Sequence, residues 1–480
     1  MTPRKTAVVV SPLIALMQDQ VAQLEQMGIA AAVLNSSQKT GEQSAILQKA
    51  KAGAYRLLYL SPERLARPDT LSWLRDVPTS YFVIDEAHCI SEWGHEFRPE
   101  YRQLHSLRAH FPDQPIAAFT ASATRQVRHD IVAQLHLRDA DKYIASFQRP
   151  NLRYHVKLCD SKTQSTFLLR AVKNYPGSNI IIYAPTITRV EETVELLREK
   201  GIAAIGYHAK MDSATRKENQ ERWMSDEVRV LVGTIAFGLG INKAAVRAVI
   251  HLSLPKSIEQ YYQEAGRAGR DGEPADCLLL WQKRDVGLLT YFIEQLSDAE
   301  EKARCWQRYH IIRRFVESES CRNRQICVHF GETPKWLSCN ACDVCSGELE
   351  WLHAPTQTKR GSRSKNVYCE AKAAEIETSH HAIFRQTSPV VRQEPAIRGG
   401  HDDLREYMRE WRRATSRKLN IPAFIVMHDT TLDELCRARP NTLAQLRNVS
   451  GFGDRKVEMY GQQILDALKT FGSRSKVASP

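Results

Sequence analysis

The chain has 480 residues, 42% of them hydrophobic, 25% charged and 8% aromatic, enough for roughly three domains of about 100–200 residues each. No apolar run reaches the ~18 residues of a membrane helix, and the run after the basic start stops at Ser11-Pro12, too short for a secretory segment. Lys and Arg number 67 against 55 Asp and Glu, a net charge of +12 that suits a polyanionic partner and, by itself, suits a plain basic enzyme about equally well.

In chain order, Ala7–Val10 reads as a buried strand leading into a helix-patterned stretch, Leu13–Gly28. Arg56–Leu60, Tyr81–Ile84 and Ile116–Phe119 are further strand candidates, each followed by polar or turn-forming residues. After a break near Ser146–Asn151 the pattern restarts with Asn179–Tyr183, Val228–Val232 and Ala248–His251. Strands alternating with helices give βαβ units around a parallel sheet. Two sequential α/β domains are therefore expected, over 1–145 and 146–292. From about Gln295 the strands stop, and a helical, cysteine-bearing segment follows, 293–352. Residues 353–400 lack periodicity and read as a basic linker. Helical spacing returns from Leu404 to Phe471, giving a small all-α module at 401–475.

Tyr81-Phe82-Val83-Ile84-Asp85-Glu86-Ala87-His88 puts two carboxylates at the carboxyl end of a buried strand, where open α/β sheets bind ligands. Asp85 can hold a magnesium ion and Glu86 can deprotonate an attacking water. Alone, such a pair is usually just a solvated turn, and what lifts this one is the company it keeps. Gln263-Glu264-Ala265-Gly266-Arg267-Ala268-Gly269-Arg270 spaces two arginines three apart, which on a helix points both to one side and suits a transferring phosphoryl group; surface packing is the alternative. Gly233–Lys243, with Gly238 and Gly240, is a glycine-spaced loop suited to close backbone approach to phosphate or DNA.

Without a secretory segment, the eleven cysteines point to a reducing compartment, where clustered thiols are metal ligands more often than disulfides. Cys321, Cys339, Cys342 and Cys345 can close around one tetrahedral zinc. Cys327 is a rival fourth ligand, but six residues carry it about 240° round a helix from Cys321, so both cannot face one metal.

Asp85-Glu86-Ala87-His88, the aromatic-rich Ser91–Tyr101 and Gln263–Gly272 together resemble the RecQ family of superfamily 2 DNA helicases. Val9–Leu13 resembles that family's motif Ia, Ser61–Leu65 its Ib, Thr120–Thr124 its motif III and Gly233–Lys243 its motif V. Cys321-Arg322-Asn323-Arg324 with Phe330-Gly331-Glu332 resembles its zinc segment and favours Cys321 as ligand. Residues 401–475 resemble the helicase-and-RNase-D C-terminal (HRDC) domain.

The resemblance implies two RecA-like parallel-sheet domains, the first incomplete, a helical zinc-binding segment and an HRDC module. It implies an ATP-dependent 3′-to-5′ helicase on single-stranded and forked DNA, using ATP, Mg2+ and Zn2+ in repair or recombination alongside repair proteins. Asp85 and Glu86 would be the magnesium and water pair and Arg270 the arginine finger, with Arg267 the second candidate. Gln263, Gly238 and Gly240 would meet the nucleotide. Ser11, Trp93, His95, Phe97 and Arg98 would meet DNA, the last four as a loop coupling single-strand binding to hydrolysis. A bacterial cytoplasm, with the nucleoid as workplace, is the expected location.

Two departures qualify this. A phosphate-cradling G-x-x-x-x-G-K-[ST] loop is needed, yet no Gly-Lys dipeptide occurs in the sequence. The chain is accordingly read as N-terminally truncated, with a gap expected inside the first sheet and no appreciable ATPase from these residues alone. A non-catalytic nucleic-acid-binding pseudo-helicase, or a subunit completed by a separate P-loop polypeptide, is the competing reading. The stretch between the zinc segment and the C-terminal module is also too short for the winged helix that many relatives carry.

Overall fold

The computed structural model describes residues 5–35, 38–94, 96–235, 243–352, 399–419 and 423–477. His95, Gly238, Gly240 and residues 353–398 of the expected linker lie outside these.

Five strands form the first sheet: β1 Thr6–Val10, β2 Ala31–Leu34, β3 Leu57–Leu60, β4 Thr79–Ile84 and β5 Ile116–Ala118. Their order is β2-β3-β1-β4-β5, all parallel. Central β1 is buried at all five positions, as a parallel strand covered on both faces must be. Val8, Val10, Leu58, Leu60, Phe82 and Ile84 pack toward Tyr101, Leu104 and Leu107. Val9, Val33 and Tyr59 pack the other way, against Met17 and Val21.

The gap expected inside this sheet does not occur, since every neighbouring pair among the five strands is hydrogen-bonded. The sheet ends instead at β5, whose three residues are half-buried, and Phe119 beyond it is 58% exposed. An open edge costs far less than an internal gap, because water satisfies the outward N–H and C=O groups.

The second sheet contains β6 Leu152–Leu158, β7 Asn179–Tyr183, β8 Ala204–Tyr207, β9 Val230–Gly233, β10 Val246–His251 and β11 Ala275–Trp281. The order is β6-β11-β10-β7-β9-β8, again all parallel. The cysteine-bearing segment shares this domain's core: Ile312, Phe315 and Val316 of helix Ala299–Glu317 pack with Tyr154, Tyr261, Phe330 and Cys342. The C-terminal helices bury a core of their own around Met408, Leu435, Leu446, Phe452 and Ile464. That module rests on both α/β domains. Arg455 Nη1 donates to the Glu25 carbonyl at 2.6 Å, and Arg409 pairs with Asp226 at 3.1 Å.

Candidate functional site

The strand β4 delivers Asp85 to the edge of the cleft between the two sheets. Its amide donates to the Val10 carbonyl at 2.9 Å, continuing the ladder with β1 by one residue. Ser11, fully buried at the end of β1, donates its hydroxyl to Asp85 Oδ2 at 3.1 Å. The Glu86 amide donates to Asp85 Oδ1 at 3.0 Å, and Tyr101 holds the Asp85 carbonyl at 2.9 Å. The residue is thus held by four hydrogen bonds, two on its carboxylate and two on its backbone. Burial first, and then the neighbouring Glu86 charge, push the Asp85 pKa up, so a cation at this carboxylate relieves an existing electrostatic cost.

Glu86 sits at φ 46°, in the left-handed region, where the chain breaks out of the strand. Backbone strain of this kind needs surrounding support to persist. Here Glu86 Oε2 lies 3.2 Å from His88 Nδ1, which also meets Thr120 Oγ1 at 3.0 Å. Burial would lower the His88 imidazole, but its contacts with Cys89 and Glu86 carry it up to about 10. No catalytic or binding role was given to His88, Thr120 or Ser122 from sequence, although all three lie in the motif stretches that carried the resemblance.

The arginine pair departs from its sequence expectation. The helix Ile258–Ala265 ends before either arginine, with Gly266 as its C-cap and Gly269 at φ 54°. A Cβ on Gly269 would lie 2.5 Å from Asn151 Nδ2, so the turn is built around glycine. Arg267 and Arg270 therefore stand on a turn in different surroundings. Arg267 is 8% exposed and lies by the Tyr183 phenol, while Arg270 reaches solvent at the cleft. The protein around it, and then Arg267, push the Arg270 guanidinium down to about 10, with Glu86 pulling the other way. It stays charged at neutral pH and feels Glu86 from the opposite domain.

Gln263 closes the cleft directly, donating from Nε2 to Ser122 Oγ of the first domain at 2.8 Å. The next residue, Glu264, receives His251 at 2.8 Å and, from one turn earlier, Gln260 at 3.0 Å. These buried bonds fix the face of the helix from which Gln263 projects.

The loop after the Asp-Glu turn presents Trp93, 47% exposed, with its amide held by Ser91 Oγ at 3.2 Å. The Phe97 ring is covered by the Arg102 guanidinium at 5.3 Å. Arg98 Nη1 reaches the Pro12 carbonyl at 3.4 Å, and Arg308 of the cysteine-bearing segment donates to the Gly94 carbonyl at 2.9 Å. The loop is thereby tied to motif-Ia residues on one side and to the cysteine-bearing segment on the other.

Cys321, Cys339, Cys342 and Cys345 bring their sulfurs within 4.8 Å of one another. Cys321 precedes the helix Arg322–His329, whose first amide donates to Cys342 Sγ at 3.4 Å. Burial pushes the Cys342 thiol up to about 11; it opposes ionisation of Cys345 too, but hydrogen bonds from Ser338, Cys339, Cys342 and Cys321 bring that thiol down to about 6. Cys327 lies away from this cluster, fully buried against the second domain. Arg322 locks the group in place through Asp343 at 3.0 Å, and Asp343 accepts the Val156 amide of β6 at 3.1 Å. Four convergent sulfurs with an N–H···S bond fit a structural zinc site.

Comparison with known proteins adds to this geometry. Residues 1–130 match the DEAD/DEAH box helicase family, 163–272 the helicase conserved C-terminal domain, 283–346 the RecQ zinc-binding family and 401–468 the HRDC domain. The ATP-dependent DNA helicase RecQ of Haemophilus influenzae is 33% identical, over 96% of this chain and 86% of that protein. The protein of the same name from Pasteurella multocida is 34% identical over 96% and 84%, and that from Bacillus subtilis 31% identical over 97% and 89%. Among solved structures, Saccharomyces cerevisiae Dbp5 bound to RNA and ADP BeF3 has a TM-score of 0.46 at 14% identity, covering 66% of this chain and 83% of that one.

Proposed function

The chain belongs to the RecQ family of ATP-dependent DNA helicases, and from that premise we propose a 3′-to-5′ translocase on single-stranded and forked DNA, working in repair or recombination in a bacterial cytoplasm at the nucleoid. The 480 residues by themselves do not sustain ATP turnover. The observation that carries this reading is the cross-cleft contact in which Gln263 Nε2 meets Ser122 Oγ at 2.8 Å.

The residues present fit the cation and the water. ATP with Mg2+, when bound, supplies the phosphoryl group passed to water. Asp85, oriented by Ser11, would hold the cation. Glu86, positioned by His88, accepts the proton from water. Arg270 meets the charge that develops on the phosphoryl oxygens, while buried Arg267 fixes the turn that presents it. Gln263 links that face to Ser122, so opening of the cleft breaks a bond next to the reacting group. The phosphate cradle has no counterpart here, because no Gly-Lys dipeptide occurs in the sequence. Gly238 and Gly240 complete the nucleotide side in this reading, and His95 joins Trp93, Phe97 and Arg98 on the DNA side.

The exposed Trp93 ring supplies a stacking platform worth about 1–3 kcal/mol per base. Arg98 is the cation beside it. One zinc on the four cysteines holds the helical segment against β6, and so indirectly the Arg308 contact to the loop. The test is DNA-stimulated ATPase with and without a P-loop segment joined ahead of residue 1. Turnover that needs the segment supports the reading, and robust turnover by the 480 residues refutes it.

The open edge at β5, with Phe119 58% exposed, favours a second reading in which a separate P-loop polypeptide completes the first sheet. Co-purification of such a polypeptide separates it from a purely DNA-binding role.

A further inference from the structure

A second group of metal-ligating atoms lies beside the Asp-Glu turn, away from the four cysteines. A ring nitrogen of His88, Cys89 Sγ and a Glu96 carboxylate oxygen all lie within 4.8 Å of one another, and Nε2 is the nitrogen that meets Cys89. The first two are 3.8 Å apart. On a tetrahedral zinc, nitrogen at about 2.0 Å and sulfur at about 2.3 Å stand roughly 3.6 Å from each other, so this pair is already near the required spacing.

Three further features favour a cation there. His88 and Cys89 are 1% and 0% exposed, so the donors face the protein interior rather than bulk water. The other ring nitrogen of His88 lies 3.2 Å from Glu86 Oε2, the carboxylate–imidazole arrangement that orients metal-bound histidines. Glu96 is half-buried with no hydrogen bond to its carboxylate among the described residues, and burial raises its pKa. The charges of His88 and Arg98 draw that pKa back only in part, and a cation beside the carboxylate would offset the burial further.

We infer that His88, Cys89 and Glu96 form a site for a thiophilic divalent cation such as Zn2+ or Cd2+, with a water as the fourth ligand. Binding forms Nε2–metal, Sγ–metal and O–metal bonds and releases to solvent the Cys89 thiol proton and any proton on His88 Nε2. The mixed nitrogen, sulfur and oxygen donors select against Mg2+, which takes oxygen ligands. The cation cross-links the turn that positions Glu86 to the loop carrying Trp93 and Phe97, and so holds that loop in one arrangement.

The experiment uses the full chain, stripped by chelator and titrated with Zn2+ and separately with Co2+, in reducing buffer with excess Mg2+. A chromophoric chelator competes for the metal. Two equivalents are expected, a tight one on the four cysteines and a weaker one here. Cys89→Ser and Glu96→Gln each weaken the second at least tenfold and spare the first. Cobalt at the second site gives a single-thiolate charge-transfer band that Cys89→Ser removes. If Cys89→Ser disturbs packing, Glu96→Gln on the half-buried loop decides the matter. Uptake of one equivalent only, or a second equivalent indifferent to both substitutions, overturns the inference.

Discussion

Asp226 joins the second α/β domain to the C-terminal module, and its removal gives the sharpest energetic prediction. The carboxylate is 7% exposed, with Lys243 Nζ at 2.6 Å, Arg409 Nε at 3.1 Å and Arg412 Nη2 at 3.6 Å. Asn179 donates to it at 2.8 Å. Burial opposes the charge, but Lys243 and Arg409 together hold the Asp226 pKa far below the usual carboxylate range. With an effective dielectric near 20, the Lys243 contact alone is worth ~6 kcal/mol before desolvation. Asp226→Asn keeps the shape, and asparagine tolerates the observed φ of 61°. It leaves three cations around a neutral amide. Breaking a buried pair from one side costs about 3–5 kcal/mol. Hydrogen exchange in increasing urea, which resolves the second domain and the C-terminal module separately, should show a loss of that size in both. Arg409→Met on the Asp226→Asn background should cost less than on the wild type, because the cation it removes is no longer compensated. The half-exposed Arg405–Asp433 pair is the control, and Asp433→Asn should cost under about 1 kcal/mol. A loss below 1 kcal/mol for Asp226→Asn, or strict additivity with Arg409→Met, would refute the reasoning.

Other outcomes are equally specific. Glu259, bound to His329 at 2.6 Å, has its carboxyl brought down to about 2 by that partner against the opposing effect of burial. Its folded pKa lies below the unfolded ~4.3, so it stabilises by about 3 kcal/mol above pH 4.3, and this is lost as pH falls toward 2; acid unfolding of Glu259→Gln should lack that component, and an unchanged acid limb would count against it. Cys342→Ser should abolish the tight zinc equivalent and lower the thermal midpoint, whereas full retention of that equivalent would exclude the four-sulfur site. Trp93→Ala should weaken single-stranded DNA binding about tenfold or more while leaving the salt slope unchanged, since it removes stacking and no phosphate contact; equal affinity would remove Trp93 from the interface.

The central strands were legible because they are buried on both faces and read as continuous Val, Ile and Leu runs, as in Ala7–Val10 and Asn179–Tyr183. The sheet-edge strands β2 and β8 were not. Both are four residues long and alanine-bearing, and each follows a helix closed by a glycine at positive φ, Gly28 at 78° and Gly201 at 73°. That shared Gly-Ile-Ala-Ala start, a C-cap glycine before an apolar run, was the signal available. The strand β11 was hidden by Asp276 within it, a carboxylate that β6 satisfies through Arg153 at 2.7 Å. Cysteine spacing left Cys321 and Cys327 as rivals for the fourth position, and the resemblance of the Cys321 segment to the zinc segment chose the one whose sulfur converges with the other three. The arginines were misplaced onto a helix because Gly266 and Gly269 end it, a break that residue spacing alone does not reveal. Nor could the sequence tell that Ser11, read as a DNA contact, spends its hydroxyl on Asp85.

The most direct test of the account is DNA-stimulated ATP turnover by the 480-residue chain, alone and with a Gly-x-x-x-x-Gly-Lys-Thr segment joined ahead of it. The account predicts no stimulated turnover from the chain alone. It predicts DNA-dependent turnover with the segment present, lost by at least about 10²-fold in Glu86→Gln. Robust DNA-stimulated hydrolysis by the chain alone, or turnover in the joined chain indifferent to Glu86→Gln, would contradict it.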